Sequence, residues 1–254
     1  MDEVALKNKK AWEYRAYEFW NMNYGTPKEK AVEILHNPKA CLRYHQKYFD
    51  DIKGSNIANV CGSNGRIAVP LAVLGAVVTI FDISEENQKY ALELADSAGV
   101  SIIYEVGDFN NVDLKRHGNV FDIAYLEGGI LHYFHNLNLF FSKLYGIIKP
   151  GGKLILSDFH PFRKIVAMGQ IGKSTQVTDG DYFDISVFNG EVAYKSHFPQ
   201  DEQQFFPDCS LRYYTLSEII NAAINTGFNI REFIEHPNWE NKKVPGEFTI
   251  IGLK

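Results

Sequence analysis

Residues 56–84, NIANVCGSNGRIAVPLAVLGAVVTIFDIS, constrain the fold of this chain more than any other stretch. A β-branched apolar run ends in a turn of small residues, Cys61-Gly62-Ser63-Asn64-Gly65. An apolar helix-like segment follows, then Gly75, then a second apolar run that stops at Asp82. The pattern reads as strand, tight turn, helix and strand, with an acid at the tip of the second strand. Small residues let the backbone approach a ligand, and the free N–H groups at a helix start favour its negative end. An acid closing the next strand can hold both hydroxyls of a ribose. Asp82 follows Gly62 at about the 20-residue spacing expected of such a unit.

A dinucleotide site would carry G-x-G-x-x-G. Here only Gly62 and Gly65 lie in the turn and Ala68 takes the last place, which disfavours an NAD(P)-dependent oxidoreductase. The whole pattern resembles instead the class I S-adenosylmethionine-dependent methyltransferases, of the small-molecule type. Four further segments carry the resemblance in order. Gly107-Asp108-Phe109 follows a third strand, SIIYEV; FDIAYLEGGILHYF looks like the fourth strand and its loop. LYGIIKPGGKLILSDF looks like the next helix, turn and fifth strand, and TGFNIREFIEHP with GEFTIIGLK like a final antiparallel strand pair. The resemblance covers about residues 50–160 well and 211–254 moderately. It implies a seven-stranded, Rossmann-like α/β fold with the last strand antiparallel, S-adenosyl-L-methionine as cofactor, and methyl transfer to a nitrogen or oxygen of a small molecule. Members usually carry an acid and three glycines at alternate positions of the first turn, where this chain has Asn59, Cys61, Ser63 and Gly65. That departure keeps open a second alternative, a non-catalytic protein that binds S-adenosylmethionine.

The chain has 254 residues, enough for one large α/β domain with elaborations. No apolar stretch approaches the roughly 18 residues needed to span a bilayer, and MDEVALKNKKAWEY has no apolar signal core. The 3 cysteines, Cys41, Cys61 and Cys209, are widely spaced and odd in number, which predicts neither a disulfide framework nor a zinc site. A cytoplasmic protein without a metal is the expectation, as a monomer or homodimer. A net charge of −5 without a basic run argues against a nucleic-acid partner.

Along the chain, residues 1–50 read as helical, with Trp12, Arg15, Tyr17, Phe19 and Trp20 crowded on one short stretch. Thr26-Pro27 predicts a helix start, His36-Asn37-Pro38 its end, and CLRYHQKYFDDI a further helix. Alternating strands and helices over 51–160 predict a doubly wound, mostly parallel sheet with helices on both faces. Ser84 is the expected cap of the helix that starts at EENQ, and Thr215-x-x-Glu218 a capping box for a late helix ended by Gly227. Residues 161–210 break the alternation. Within them DYFDISVFNGEVAYKSHF predicts a β-hairpin turning at Asn189-Gly190. The expected organisation is one domain: a helical lid over 1–50, a cofactor-binding core over 51–160, a cap insertion over 161–210, and a helix with a strand pair over 211–254.

The candidate cofactor residues are the turn, Asn59, Cys61, Gly62, Ser63, Asn64 and Gly65, and Asp82 with Ile83 at the second strand's tip. By the resemblance, Asp108 meets the adenine amine and Phe109 its face. Glu127 and Gly128, at the fourth strand's end, are expected near the methionine part, with Glu127 standing in for the acid missing at Asn59. In open α/β sheets ligands sit beyond the carboxyl ends of the strands. His132, Tyr133 and His135 after the fourth strand and Asp158 and His160 after the fifth should therefore converge. His132 and His160 are the candidate bases or acceptor-positioning groups; Trp20, Tyr133 and Asp158 are the candidate substrate contacts.

Overall fold

The computed structural model describes residues 1–165 and 180–254. The first five core strands are β1 (Asn56–Val60), β2 (Val77–Asp82), β3 (Ile103–Val106), β4 (Phe121–Glu127) and β5 (Ile148–Phe159). They pair in parallel in the order β3-β2-β1-β4-β5. β9 (Pro245–Leu253) runs antiparallel beside β5, and β8 (Asn229–Pro237) runs antiparallel to β9 at the edge. This is the seven-stranded sheet expected from the sequence. The chain reverses its direction of winding between β1 and β4, so their carboxyl ends open onto a crevice.

Burial on both faces explains the near-continuous apolar strands. Ala58, Val60, Ala124, Leu126, Leu154 and Leu156 join α7 (Leu137–Ile147) and α8 (Leu216–Thr226) in one cluster. The alternate residues Ile57, Ile123, Tyr125 and Ile155 face the other way. They meet α4 (Ala68–Val73), α5 (Glu85–Ser97) and the segment before β1. Period-two alternation assigns each residue to its face. The one-turn α6 (Leu114–His117) precedes β4.

The first 50 residues hold α1 (Glu3–Glu13), α2 (Ala16–Tyr24) and α3 (Pro27–His36). Thr26 and Glu29 form a capping box with Pro27 in the first turn of α3. Ser84 caps α5, and Thr215 with Glu218 caps α8, which stops at Gly227 with φ 111°. The further helix expected over CLRYHQKYFDDI is a 3-10 segment, Ala40–Tyr48, broken where Arg43 takes φ 50°.

The expected hairpin is not formed. Asn189 and Gly190 end a strand, β6 (Val187–Gly190), that pairs antiparallel with the distant β7 (Cys209–Arg212). Neither residue has the positive φ that a two-residue hairpin turn needs. Gly190 instead gives room to Leu211, whose Cδ1 would lie 2.3 Å from an added Cβ. The connection between the two strands buries Val192, Tyr194, Phe198 and Phe206 against α1 and α2. Tyr194 donates its hydroxyl to the carbonyls of Ala11 and Tyr14, both at 3.0 Å. Insertion and helical preface are thus one packed unit. Part of the expected cap, residues 166–179, lies outside the described residues.

Candidate active site

The turn after β1 alternates in direction. Cys61 and Ser63 take φ 52° and 50°, left-handed conformations that favour glycine. Both line a cavity of about 660 Å³ at the carboxyl ends of β1, β2 and β4. The residues between them face inward. A Cβ at Gly62 would sit 2.5 Å from Asn59 Oδ1, and one at Gly65 would sit 2.9 Å from Ala91 Cβ on α5. Asn59 donates to the Tyr125 carbonyl at 3.2 Å, and Asn64 Oδ1 accepts the Arg66 N–H at 3.3 Å. Asn59, Gly62, Asn64 and Gly65 therefore build the turn rather than the cavity wall. In particular, Gly65 is not a cavity floor; it is the contact that lets the turn close on α5. Arg66, just past the turn, is in the wall.

Asp82, Ile83, Asp108, Phe109, Glu127 and Gly128 all border this cavity. Asp82 is 8% exposed. Its Oδ1 accepts the Ser84 N–H at 3.1 Å and the Asn87 amide at 3.2 Å, while Oδ2 accepts the Ser63 N–H at 3.0 Å. Burial raises its pKa against the pull of those donors. Trp20 borders the cavity and donates its indole N–H to Asn87 Oδ1 at 2.7 Å, bracing the amide that holds Asp82. Asp108 accepts the Asn110 N–H and the Asn111 amide, and burial raises it too. Phe109 is buried edge-on to Phe81, 5.7 Å between centroids. Glu127 is the charged centre of the wall. Burial pushes its carboxyl up, but the His45 ring, the Arg66 guanidinium and the Tyr125 hydroxyl together hold it down at about 2. Arg66 lies 3.5 Å and Arg43 3.8 Å from Glu127 Oε1.

A second cavity, of about 330 Å³, adjoins the first and shares with it Trp12, Gly128, Gly129, Tyr133 and Phe159. His132 borders it, its ring 4.2 Å from that of Tyr133 and 6.1 Å from that of Tyr213. No hydrogen bond engages that ring among the described residues. Burial and the Arg163 charge lower its pKa to about 4, so it is neutral near pH 7 with a lone pair to offer. The other candidates on this side, His160 and Asp158, also border this cavity and are engaged by their own loops. His160 accepts the Phe162 N–H at Nδ1, and its Nε2 lies 3.0 Å from Glu235 Oε1. Asp158 Oδ2 accepts the N–H groups of Ile130 and Leu131 at 2.9 and 2.8 Å, and burial pushes the carboxyl up to about 6. It braces the loop between the cavities.

A methyltransferase domain model matches residues 59–156. A ubiquinone biosynthesis O-methyltransferase of Rickettsia felis is 27% identical over 177 residues, covering 67% of this chain and 68% of the relative. A relative of the same name from Rhizobium leguminosarum is 26% identical, over 51% of each chain. Among solved structures, an S-adenosylmethionine-dependent methyltransferase from Mesorhizobium loti superposes with a TM-score of 0.65 at 20% identity, over 87% of this chain and 100% of that one. Magnesium protoporphyrin IX methyltransferase from Synechocystis, with bound S-adenosylhomocysteine, gives 0.60 at 14% identity, over 99% and 100%. These two share the fold. The chain carries a methyltransferase domain over residues 59–156 and has the fold of the class I S-adenosylmethionine-dependent methyltransferases.

This methyltransferase offers its cofactor a wall of fitting chemistry. S-adenosylmethionine joins a nucleoside to a zwitterionic amino acid through a sulfonium, and supplies an electrophilic methyl group when bound. The wall sets an ionised carboxylate, Glu127, beside two guanidinium groups, as a zwitterion requires. The Ser63 hydroxyl is buried with no partner among the described residues. Arg66, Arg43 and Asn8 are among the wall residues that escaped the sequence analysis. Arg66 had a signal, being a cation directly after the turn. Arg43 had none, because it reaches Glu127 from the kinked 3-10 segment. Asn8 on α1, which holds Ser210 at 2.7 Å, likewise carries no local pattern. The expected lid over 1–50 contributes walls through Asp2, Val4, Ala5, Trp12, Trp20 and Tyr24.

Proposed function

We propose that this methyltransferase moves the methyl group of S-adenosylmethionine to an oxygen of a small planar acceptor seated in the second cavity. The observation that carries the reading is the junction of the two cavities at Gly128 and Gly129. A donor in the large cavity and an acceptor in the small one meet there, and in-line placement of this kind is worth roughly 7–11 kcal/mol of barrier. Asp82 would hold the ribose hydroxyls, Asp108 and Phe109 the adenine, and Glu127 the ammonium. Arg43 and Arg66 would take the carboxylate of the same amino acid. Walls of Trp12, Tyr133 and Tyr213 suit a flat ring. His132, neutral and facing the acceptor cavity, would accept the hydroxyl proton as the oxygen attacks. The names of the curated relatives favour oxygen over nitrogen. The test is a panel of phenols, catechols and aromatic amines of matched size, assayed by mass spectrometry for methylated product. Methylation of phenolic oxygens supports the reading. Methylation of amines alone would replace it.

A further inference from the structure

The sheet face beneath the preface carries polar groups where its neighbours are aliphatic. Ile57, Ile123, Ile155 and Ile251 make ordinary core there, but Tyr125, Thr249 and His45 share that layer and are almost wholly buried. His45 arrives from the 3-10 segment Ala40–Tyr48, whose break at Arg43 turns it onto the sheet. Four contacts form a line: His236 Nε2 to Thr249 Oγ1 at 2.8 Å, Thr249 Oγ1 to His45 Nε2 at 3.1 Å, His45 Nδ1 to the Tyr125 hydroxyl at 2.7 Å, and that hydroxyl to Glu127 Oε2 at 2.5 Å.

The direction of these bonds follows from counting protons. An ionised Glu127 only accepts, so Tyr125 donates to it. Burial holds the Tyr125 phenol well above its usual range, so the proton stays in place. With its one proton spent, the Tyr125 oxygen accepts, and His45 must carry a proton on Nδ1. When His45 Nε2 carries no proton it accepts from Thr249, which accepts in turn from His236 on the edge strand. Ser157 offers Thr249 a second, longer acceptor at 3.3 Å and gives its own proton to the Phe248 carbonyl. In that arrangement every donor in the line points toward the cavity wall.

We propose that His45 is a positioning residue of the cofactor site: it makes the Tyr125 hydroxyl a dedicated donor to Glu127 and so holds that carboxylate charged and oriented at the cavity wall. Thr249 and His236 anchor the ring from behind. A buried polar network is costly when half satisfied and rigid when complete. This one links the helical preface to the charge that faces the cofactor. Its importance for cofactor affinity rests on the assignment of Glu127 to the ammonium. Around Glu127 stand Arg66, Arg43 and His45; around His236 stand the Tyr44 ring at 4.1 Å, Glu247, Arg43 and Lys47.

The test uses the full chain and two readouts, carbon-13 titration of the Glu127 carboxyl and calorimetry with S-adenosylhomocysteine from pH 5 to 8. Tyr125→Phe keeps the ring in the core and removes the donor. It should move the Glu127 titration up toward the ordinary carboxylate range and weaken binding about ten-fold, with the loss growing as pH falls. His45→Gln, whose amide reaches the Nε2 position, should behave like Tyr125→Phe. His45→Asn places an amide N–H near Nδ1 and should recover most of the loss, which a merely space-filling role would not produce. An unchanged Glu127 titration in Tyr125→Phe overturns the proposal, as does equal damage from both His45 variants. Glu127→Gln separates the two assignments. If it leaves affinity intact while Tyr125→Phe still shifts the titration, the positioning role stands and the ammonium contact fails.

Discussion

The two halves of the proposed site, one for the cofactor and one for the acceptor, are built by different rules. The cofactor half is made of strand tips: Asp82 closes β2, Asp108 follows β3 and Glu127 closes β4. A parallel sheet brings all those tips to one edge, so the half assembles from short units that each carry their own signal. The acceptor half is made of parts far apart in sequence. Trp12 comes from α1, His132 from the loop after β4, and Tyr213 follows β7, just past the insertion. The cofactor half should govern affinity for S-adenosylmethionine, and the acceptor half the rate of transfer.

The sharpest separation is expected at His132. His132→Ala should lower kcat by about 100-fold or more, the scale of a lost general base, with cofactor affinity within two-fold. The pH profile gives the sign. A ring pKa near 4 leaves His132 able to accept a proton throughout the neutral range. The rate should therefore hold from pH 8 to 6 and fall only as pH drops through that value. Equal losses in affinity and rate would merge the two halves.

Asp82→Ala should do the reverse. Removing the carboxylate strands the Ser63 and Ser84 N–H groups, and calorimetry should show S-adenosylmethionine binding weakened about ten-fold or more, with a lower Tm. Asp82→Asn keeps an acceptor and should lose less. Full affinity in Asp82→Ala would remove the ribose assignment.

Gly129 lies on the seam. Its φ is 64°, and an added Cβ would come 2.5 Å from Phe159 Cε2. Gly129→Ala should push that ring into the junction and cut kcat several-fold while changing cofactor affinity little, as steady-state kinetics with separate binding measurements would show. The smallest effect is expected at Ser63. Ser63→Gly relieves a left-handed conformation and removes a buried hydroxyl without a partner, which should raise stability of the free protein by about 1 kcal/mol. Tm would rise by about 2–4 °C. If the hydroxyl serves the cofactor, affinity falls a few-fold in the same variant.

The same contrast explains what the sequence revealed. The core sheet, the helix start at Thr26-Pro27, the Thr215 capping box and the acids at the strand tips all depend on neighbours within a few residues, so they were legible. The left-handed backbone at Cys61 and Ser63 shows that the turn keeps its shape without the glycines that usually make it. Asn189-Gly190 misled because its local turn chemistry yields to pairing with β7 and to the space Leu211 needs. His160 and Asp158 do border the second cavity, but no spacing reveals that backbone N–H groups also engage the His160 Nδ1 and the Asp158 carboxylate. Arg43 and His45 were out of reach, since only the fold brings residues 43 and 45 to Glu127.

Hydrogen exchange of the whole chain with and without S-adenosylhomocysteine tests the division most directly. The account predicts strong new protection at residues 61–66, 82–84, 107–110 and 127–130. Protection should extend to residues 2–24, where α1 and α2 close over the cavity, and leave 209–214 unchanged. Protection centred on 209–214, or equally high protection of 2–24 with and without ligand, would contradict it.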